Sequence, residues 1–345
     1  MMKERTLRVL EFTKIRDRLA SKAMTDMGRE RCEALVPSSN MTEIQRMQAE
    51  TEEATVILQY VGASPLVPFS DVRASLTLAE KGATLSPKAL LEVAALMQSA
   101  RAARKALDTE RDNTPILKEL AQRLSTLHNV EQDITNAIIS EDEIADRASN
   151  ELMDIRRHLR GANERIKEKL NQMIRSSAFQ KYLQDPIVTM RNDRYCLPVK
   201  AEYRGSVPGL VHDQSSTGAT LFIEPMAAVE MGNELKTWAA KEKQEILSAL
   251  SAEIAPYADQ LRETVETLAE LDYIFAKGML SREMNAVSPK LNQNGYINII
   301  RGRHPLIDRE KVVPSNLWMG KDFTSLIITG PNTGGKTVTL KTVGL

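Results

Sequence analysis

Apolar positions recur every three to four residues over most of the chain, which is typical of amphipathic helices. Turn and cap signals interrupt this spacing within residues 1–135, notably Asn40 with Glu43 three residues later and Ser86 before Pro87. A loop rich in Gly and Pro covers 62–71. Residues 1–135 are therefore predicted to form a helical core.

Two longer apolar seams follow, both at helical spacing. The first comprises Leu152, Ile155, Leu159, Ala162, Ile166, Leu170 and Met173, and the second Leu247, Leu250, Ile254, Tyr257, Leu261, Val265, Leu268, Leu271 and Phe275. A capping box at Ser140–Glu143 predicts one helix of about 40 residues, and Pro256 predicts a kink or a break in the second helix. We expect an antiparallel pair forming an arm over 136–185 and 226–286. The alternative is two helices packed flat on the main body.

The segment between the seams changes to short runs of β-prone residues separated by turn residues, which is typical of hairpins. The runs are Ile187–Met190, Tyr195–Val199, Gly209–His212 and Ala219–Ile223. Residues 186–225 are predicted to be a small antiparallel sheet at the end of the arm.

After Pro289 the pattern changes again. Strands are predicted at Gly295–Ile300 and Ser325–Thr329, the second as a buried strand because it is continuously apolar. Residues 287–345 are thus predicted to begin an α/β domain.

A glycine-rich motif follows the second of these strands and precedes a predicted helix start. It reads Gly330, Pro331, Asn332, Thr333, Gly334, Gly335, Lys336 and Thr337, and it fits the phosphate-binding loop G-x-x-x-x-G-K-[ST]. Lys336 is expected to contact the β- and γ-phosphates of a nucleotide, and Thr337 to ligate Mg²⁺ through its hydroxyl. The motif predicts nucleotide binding.

Composition excludes several classes of protein. The 345 residues carry 46 Lys+Arg and 46 Asp+Glu, so the zero net charge argues against a wholly basic nucleic-acid coat protein. Two distant cysteines argue against a disulfide framework, and no apolar run is long enough to span a bilayer. We expect a cytoplasmic protein that is mainly α-helical and has no membrane partner.

The distribution of charge along the chain is more informative about binding partners than the net charge. Residues 156–204 hold twelve basic and five acidic residues, a net of +7, whereas 141–155 and 226–286 each carry −5. Such a basic segment attracts phosphate backbones, and Arg191, Arg194, Lys200 and Arg204 are the predicted nucleic-acid contacts. The alternative is a solvated arm of mixed charge.

Other candidate chemistry is weak. His212, Asp213, Ser215 and Ser216 superficially resemble a hydrolase set, but neighbours on a strand point to opposite faces, so His212 and Asp213 are interpreted as a polar hairpin edge. The four histidines share no metal-ligand spacing. No catalytic residue is assigned in this chain.

Together these motifs resemble the MutS family. The resemblance rests on GPNTGGKT at 330–337, GRHPLI at 302–307 and the order of core, arm, tip, arm and ATPase; RNDRYCLPVKAEYR at 191–204 and GLVHDQSSTGATLFIEP at 209–225 resemble the type-two paralogues. It implies that 186–225 are a clamp, the arm is a coiled-coil lever and 287–345 are the truncated start of an ABC-type P-loop ATPase domain. It also implies an adenine pocket at Val312 and Val313, although Pro314-Ser315-Asn316 departs from the family's Ala-Asn-Asp run.

The family's functions then become expectations. We expect first a homodimer without the family's mismatch-reading domains, which binds ATP, clamps DNA and suppresses recombination. The alternative is a factor that uses ATP to split collided ribosomes by binding rRNA. A Rad50-like ATPase is excluded by order, because the arm precedes the phosphate loop. The chain ends eight residues after Thr337, so we expect a fragment unable to hydrolyse ATP, with Gly295–Leu345 partly disordered or irregular. A Smr endonuclease domain is expected beyond it.

Overall fold

The computed structural model describes residues 4–345 except 109–112, 146–147, 149, 193 and 331–334. The side chains of 150–156, 158–160, 162–163, 234–235 and 239 also lie outside this description. The chain divides into two compact units. The first comprises Met1–Thr77, Glu92–His128 and Tyr257–Leu345, and the second Leu78–Leu91 and Asn129–Pro256.

Helices dominate the described part of the chain, as the composition predicts. Those before the sheet are α1 (Glu4–Val9), α2 (Phe12–Ala20), α3 (Asp26–Glu33), α4 (Met41–Val61), α5 (Arg73–Glu80), α6 (Pro87–Leu107), α7 (Pro115–Gln122), α8 (His128–Ala137), α9 (Asn150–Arg175) and α10 (Ser177–Gln180). Those after it are α11 (Met226–Ile254), α12 (Ala258–Met284) and α13 (Lys336–Gly344).

The described residues also form two antiparallel sheets. The strands are β1 (Thr189–Arg191), β2 (Arg194–Lys200), β3 (Gly209–Gln214), β4 (Thr220–Pro225), β5 (Ile297–Gly302) and β6 (Ser315–Met319). The first four form one sheet in the order β1-β2-β4-β3, and β5 pairs with β6. The four strands predicted between 186 and 225, and the strand predicted near 295–300, are confirmed.

The first unit is built around α12, which packs against α3 and α4. Leu268, Leu271 and Phe275 of α12 are fully buried. A Cβ at Gly278 would lie 2.8 Å from the Cβ of Ala54, so the small residue lets α12 approach α4 closely. The predicted arm includes residues up to 286. The helix α12, which covers the last part of that range, belongs to the first unit, whereas α11 belongs to the second.

Local signals explain several helix ends in the first unit. The side chain of Asn40 accepts hydrogen bonds from the backbone of Thr42 and Glu43, which confirms the predicted cap. The helix α7 is capped from outside, because the buried Glu53 of α4 accepts the N–H groups of Ile116 at 3.2 Å and Leu117 at 2.8 Å. Burial raises the pKa of Glu53, while these two bonds oppose the rise.

The second unit contains the four-stranded sheet, here called the clamp sheet (residues 189–225), with α9 and α11 packed on each other. Ile166, Leu170 and Ile174 of α9 share a buried core with Leu197 and Ile223 of the sheet. Seam positions Leu152, Ile155, Leu159 and Ala162 lie outside the described side chains. Ala228, near the start of α11, lies in the same core as Leu170 and Ile174 from the end of α9, so the two helices run antiparallel.

The helix predicted to begin at Ser140 does not begin there. Ser140 and Glu143 exchange backbone hydrogen bonds, and Ile138 bridges Ile144, so this segment is a tight turn. The α9 helix begins at Asn150 and has 26 residues rather than about 40. A turn forms here instead of a helix start because Ile138 before the turn and Ile144 after it are both buried in the core.

Pro256 divides the second seam, as predicted. The α11 helix ends at Ile254, a short 3-10 turn covers Ala255–Tyr257, and α12 begins at Ala258. Proline lacks the backbone N–H that a continuous helix needs at this position.

The predicted buried strand at Ser325–Thr329 is wrong. The segment is irregular and exposed, with Ile327 at 86% of its full accessible area. A buried strand needs neighbours that take up its backbone hydrogen bonds, and none of the described residues pairs with it. The expected irregularity of the last fifty residues holds for this segment but not for β5, β6 or α13.

None of the described helices is both long enough and apolar enough to cross a membrane.

Candidate nucleotide and nucleic-acid sites

The predicted phosphate loop is described at its two ends. Gly330 has a φ of 137° and Gly335 a φ of 82°, conformations that residues with a Cβ rarely adopt. A Cβ at either glycine would meet no heavy atom within 4 Å, so the backbone there faces open space. The middle of the motif lies outside the described residues: Pro331, Asn332, Thr333 and Gly334.

Lys336 and Thr337 form the first turn of α13, directly after Gly335. Lys336 is half-buried and Thr337 is exposed. Their side chains make no hydrogen bond or ion pair with another described residue. A helix N-terminus with free amide groups and an uncommitted ammonium favours an anion, so the described residues fit a phosphate group.

The predicted adenine side lies on the connection between β5 and β6. Val313 is 79% exposed, and Val312 is half-buried, its N–H donating to the carbonyl of Asp308 at 2.8 Å. The nearby Asn316, which departs from the family's run, accepts the N–H of Arg301 at 2.7 Å. Arg301 has a φ of 53° at a break in the β5–β6 register, so Asn316 stabilises the hairpin. An adenine contact at Val312 and Val313 stays a prediction.

On the clamp sheet, Arg194 is occupied by protein groups. Its guanidinium donates to Glu224 Oε1 at 3.2 Å and to Asn233 Oδ1 of α11 at 2.7 Å, and its side chain is 17% exposed. A Cβ at Gly232 would lie 2.7 Å from Arg194 Nη1, so glycine leaves room for this bond. Arg194 therefore joins β2 to β4 and α11.

The other three predicted contacts differ in how free they are. Arg191 pairs with Asp213 at 3.1 Å and lies over the ring of Phe222, 4.1 Å from its centroid. Arg204 donates to the carbonyls of Val207 and Gly209. Lys200 is half-buried, and its ammonium has no partner among the described residues. Nucleic-acid contact by these residues stays a prediction.

A buried carboxylate that the sequence analysis missed organises this sheet. Glu224 Oε2 lies 2.7 Å from His212 Nε2, while its other oxygen binds Arg194; the Glu224 side chain is 3% exposed. Burial and then the charge of Glu224 raise the pKa of the adjacent Cys196 thiol to about 11. The sequence contains a signal for this carboxylate: it lies inside the apolar run TLFIEP, where a charged residue needs partners if it is buried.

His212 has a partner that the sequence analysis did not predict. As expected from strand geometry, His212 does not pair with its neighbour Asp213; its ring instead lies against Glu224 on the adjacent strand β4. A register shift between Val211 and Asp213 accompanies it. Ser215 accepts the N–H of Thr220 at 3.1 Å, which closes the loop between β3 and β4.

Four exposed basic residues of the second unit lie towards the end of α9 and just after it. Lys167, Lys169, Arg175 and Lys181 are exposed, and none is paired with a carboxylate in the described part of the chain. Lys167 lies 5.3 Å from the ring centroid of Tyr195, and Lys181 lies 4.8 Å from that of Tyr182. We call these four residues the basic face.

Among the described residues, no group of three or more His, Cys, Asp or Glu side chains is placed to bind a metal ion.

The chain is similar to known proteins over its whole length. Proteins called endonuclease MutS2 are 50% identical over 349 residues in Alkaliphilus oremlandii, 48% over 352 in Acetivibrio thermocellus and 46% over 350 in a Geobacillus species. Each match covers 100% of this chain and 44–45% of the relative. The chain thus spans less than half the length of these relatives. No protein-family model matches it.

About half of the positions of the whole chain are identical in these relatives. The similarity therefore extends well beyond the short motifs on which the resemblance rests. These comparisons confirm the resemblance to the type-two MutS paralogues along the full length of this chain.

Proposed function

We propose that this chain is the nucleotide-binding and nucleic-acid-clamping part of a MutS-type ATPase. The proposal rests on the positive φ of Gly330 and Gly335 before α13, together with the Lys336 ammonium that has no partner among the described residues. The similarity to MutS2 proteins supports it.

Each residue has a role in this proposal. The backbone of 330–335 holds the phosphates, Lys336 neutralises the β- and γ-phosphate charge, and Thr337 ligates the Mg²⁺ that accompanies ATP. The bound nucleotide supplies the free energy of phosphoryl transfer. The residues of this chain bind and orient it; no residue is assigned to hydrolysis.

Titration calorimetry with Mg·ATP tests the nucleotide site. The wild-type chain is expected to bind, and Lys336→Met to weaken binding at least about tenfold, because one charge-assisted phosphate contact is lost. Lys321→Met, which removes an exposed lysine elsewhere in the same unit, is the control and should bind like the wild type. Equal affinity of all three proteins would contradict the proposal.

The nucleic-acid partner is proposed to meet the basic face. Its four cations are exposed and free of described carboxylate partners, whereas Arg194 is committed to Glu224 and Asn233. Phosphate backbones bind such surfaces by releasing counterions. We keep Lys200, Arg191 and Arg204 as additional contacts at the sheet.

Phosphate attraction acts on DNA and rRNA alike, so the charge alone does not choose between recombination suppression and ribosome splitting. We propose DNA first, with the ribosome as the second candidate. The two are separated by comparing binding to branched DNA with co-sedimentation with stalled ribosomes at one salt concentration. Tighter binding to ribosomes would reverse the order.

The remaining expectations concern the full-length protein. We propose that it is a homodimer. We also propose that it is located in the cytoplasm, whose reducing conditions suit its two free thiols. The relatives are named as endonucleases; we extend that activity to the full-length protein through a Smr domain, and no residue of this chain is assigned to it.

A further inference from the structure

An ion pair joins the helix that follows the phosphate loop to the start of the chain. Lys341 Nζ of α13 lies 2.5 Å from Glu11 Oε2, across 330 positions of sequence. Both side chains are partly exposed, at 23% and 31%. Lys341 lies five residues after Lys336 on the same nine-residue helix, so this contact restrains the element that carries the phosphate-binding lysine.

Glu11 is held in an unusual backbone conformation. It lies between α1 and α2 with a φ of 61° and a ψ of 28°, a left-handed region that glutamate rarely adopts. Its second carboxylate oxygen binds Lys14 at 2.5 Å. Hydrogen bonds from Lys14 and then Lys341 lower the pKa of Glu11 to about 2, so the carboxylate stays ionised well below neutral pH.

Neighbouring contacts keep the same two elements together. A Cβ at Gly344, the last residue of α13, would lie 2.5 Å from Leu10 Cδ2, so the end of the helix lies directly against the residue before Glu11. Arg18 of α2 donates to the carbonyl of Pro305, in the GRHP segment, at 2.6 Å and binds Glu283 of α12 at 2.8 Å. Arg18 thereby connects the GRHP segment to α2 and α12.

We propose that Glu11 is a positioning residue for the nucleotide site: through Lys341 it fixes α13 on the α1–α2 elbow and so sets the position of Lys336 and Thr337. This inference rests on the proposed nucleotide function. By linkage, a ligand that binds only the fixed helix also strengthens the Glu11–Lys341 contact. The first residues of the chain thus belong to the nucleotide site without touching the nucleotide.

The test compares four variants in fluorescence titrations with a labelled Mg·ADP. Glu11→Gln and Lys341→Met should each raise the dissociation constant about three- to tenfold, and the charge exchange Glu11→Lys/Lys341→Glu should restore most of the affinity. Lys14→Met is the matched control, because it removes the other partner of the same carboxylate and leaves α13 bound. Its affinity should equal that of the wild type.

Hydrogen exchange without nucleotide supplies a second readout. The amides of 338–344 should exchange faster in Glu11→Gln than in the wild type or in Lys14→Met. Unchanged exchange and unchanged affinity in Glu11→Gln would overturn the proposal, as would equal losses in Lys14→Met. Faster exchange with no nucleotide binding by the wild-type chain would keep the helix contact and refute the nucleotide site, so the two failures are distinguishable.

Discussion

The hydroxyl of Thr25 donates a hydrogen bond to Asp272 Oδ2 at 2.6 Å, although 247 positions separate the two residues. The same carboxylate accepts the backbone N–H groups of Met24 and Thr25, and Asp272 is fully buried. Thr25 in turn caps α3 by accepting the N–H of Gly28. One buried carboxylate on α12 therefore fixes the start of α3 within the first unit.

Removing this carboxylate should be costly. Asp272→Ala leaves several buried donors without a partner, and we expect the free energy of unfolding to fall by about 3 kcal/mol or more. The control is Asp259→Ala on the same helix, whose side chain is 94% exposed and pairs with Arg262; a loss of at most about 0.5 kcal/mol is expected there. Urea unfolding followed by circular dichroism measures both, and equal midpoints for the two variants would refute the role of Asp272.

Gly28 should not tolerate a side chain. A Cβ at this position would lie 2.1 Å from Asp272 Oδ2, so Gly28→Ala must displace the buried carboxylate, at a cost of about 1–3 kcal/mol. Gly161→Ala is the matched control, because nothing lies within 4 Å of a Cβ there; in the interior of a helix it should stabilise by roughly 0.5–1 kcal/mol. Thermal unfolding that shifts in the same direction for both variants would argue against this packing.

The basic face should determine the salt dependence of nucleic-acid binding. Lys169→Ala/Lys181→Ala should weaken binding to duplex DNA and reduce the slope of log K against log salt by about 2, since each phosphate contact contributes about 0.9. Lys290→Ala/Lys311→Ala removes two exposed lysines of the first unit and should leave the slope unchanged. Fluorescence anisotropy at several salt concentrations measures the slope. A slope that both pairs alter equally would mean that only total charge matters.

The two thiols should be protected at alkaline pH. Burial, with a smaller contribution from Asp272, raises the pKa of Cys32 to about 12, and burial, then Glu224, raises that of Cys196 to about 11. Because a raised thiol pKa keeps the proton on sulfur, on the order of 1% of Cys196 is thiolate at pH 9. Labelling with a chromogenic disulfide should be slow between pH 7 and pH 9 and should reach two equivalents only in urea.

Single-thiol variants, Cys32→Ser and Cys196→Ser, assign the signals and report on the second and first unit respectively, through the thiol that each variant retains. Rapid labelling of either native thiol, rising with pH as it does for a solvent-exposed cysteine, would contradict the burial of both side chains.

Much of the local structure could be predicted from the sequence because it depends on neighbouring residues. The Asn40 cap, the division at Pro256 and the clamp-sheet strands arise from side chains and turns within a few positions of each other. The same reasoning failed at Ser140, where a capping-box pattern lies in a turn closed by Ile138 and Ile144, and at Ser325–Thr329, where an apolar run has no strand beside it among the described residues.

For the candidate sites, the sequence by itself determined the phosphate-loop motif and the concentration of basic charge, since spacing and composition are properties of the chain alone. The tertiary structure decided which of those charges are free: Arg194 is bound to Glu224 and Asn233, while Lys169 and Lys181 face solvent. It also brought together Glu11 with Lys341 and Thr25 with Asp272. Such pairs join residues more than 240 positions apart, and because a partner at that distance leaves no periodic trace, only the folded chain identifies it.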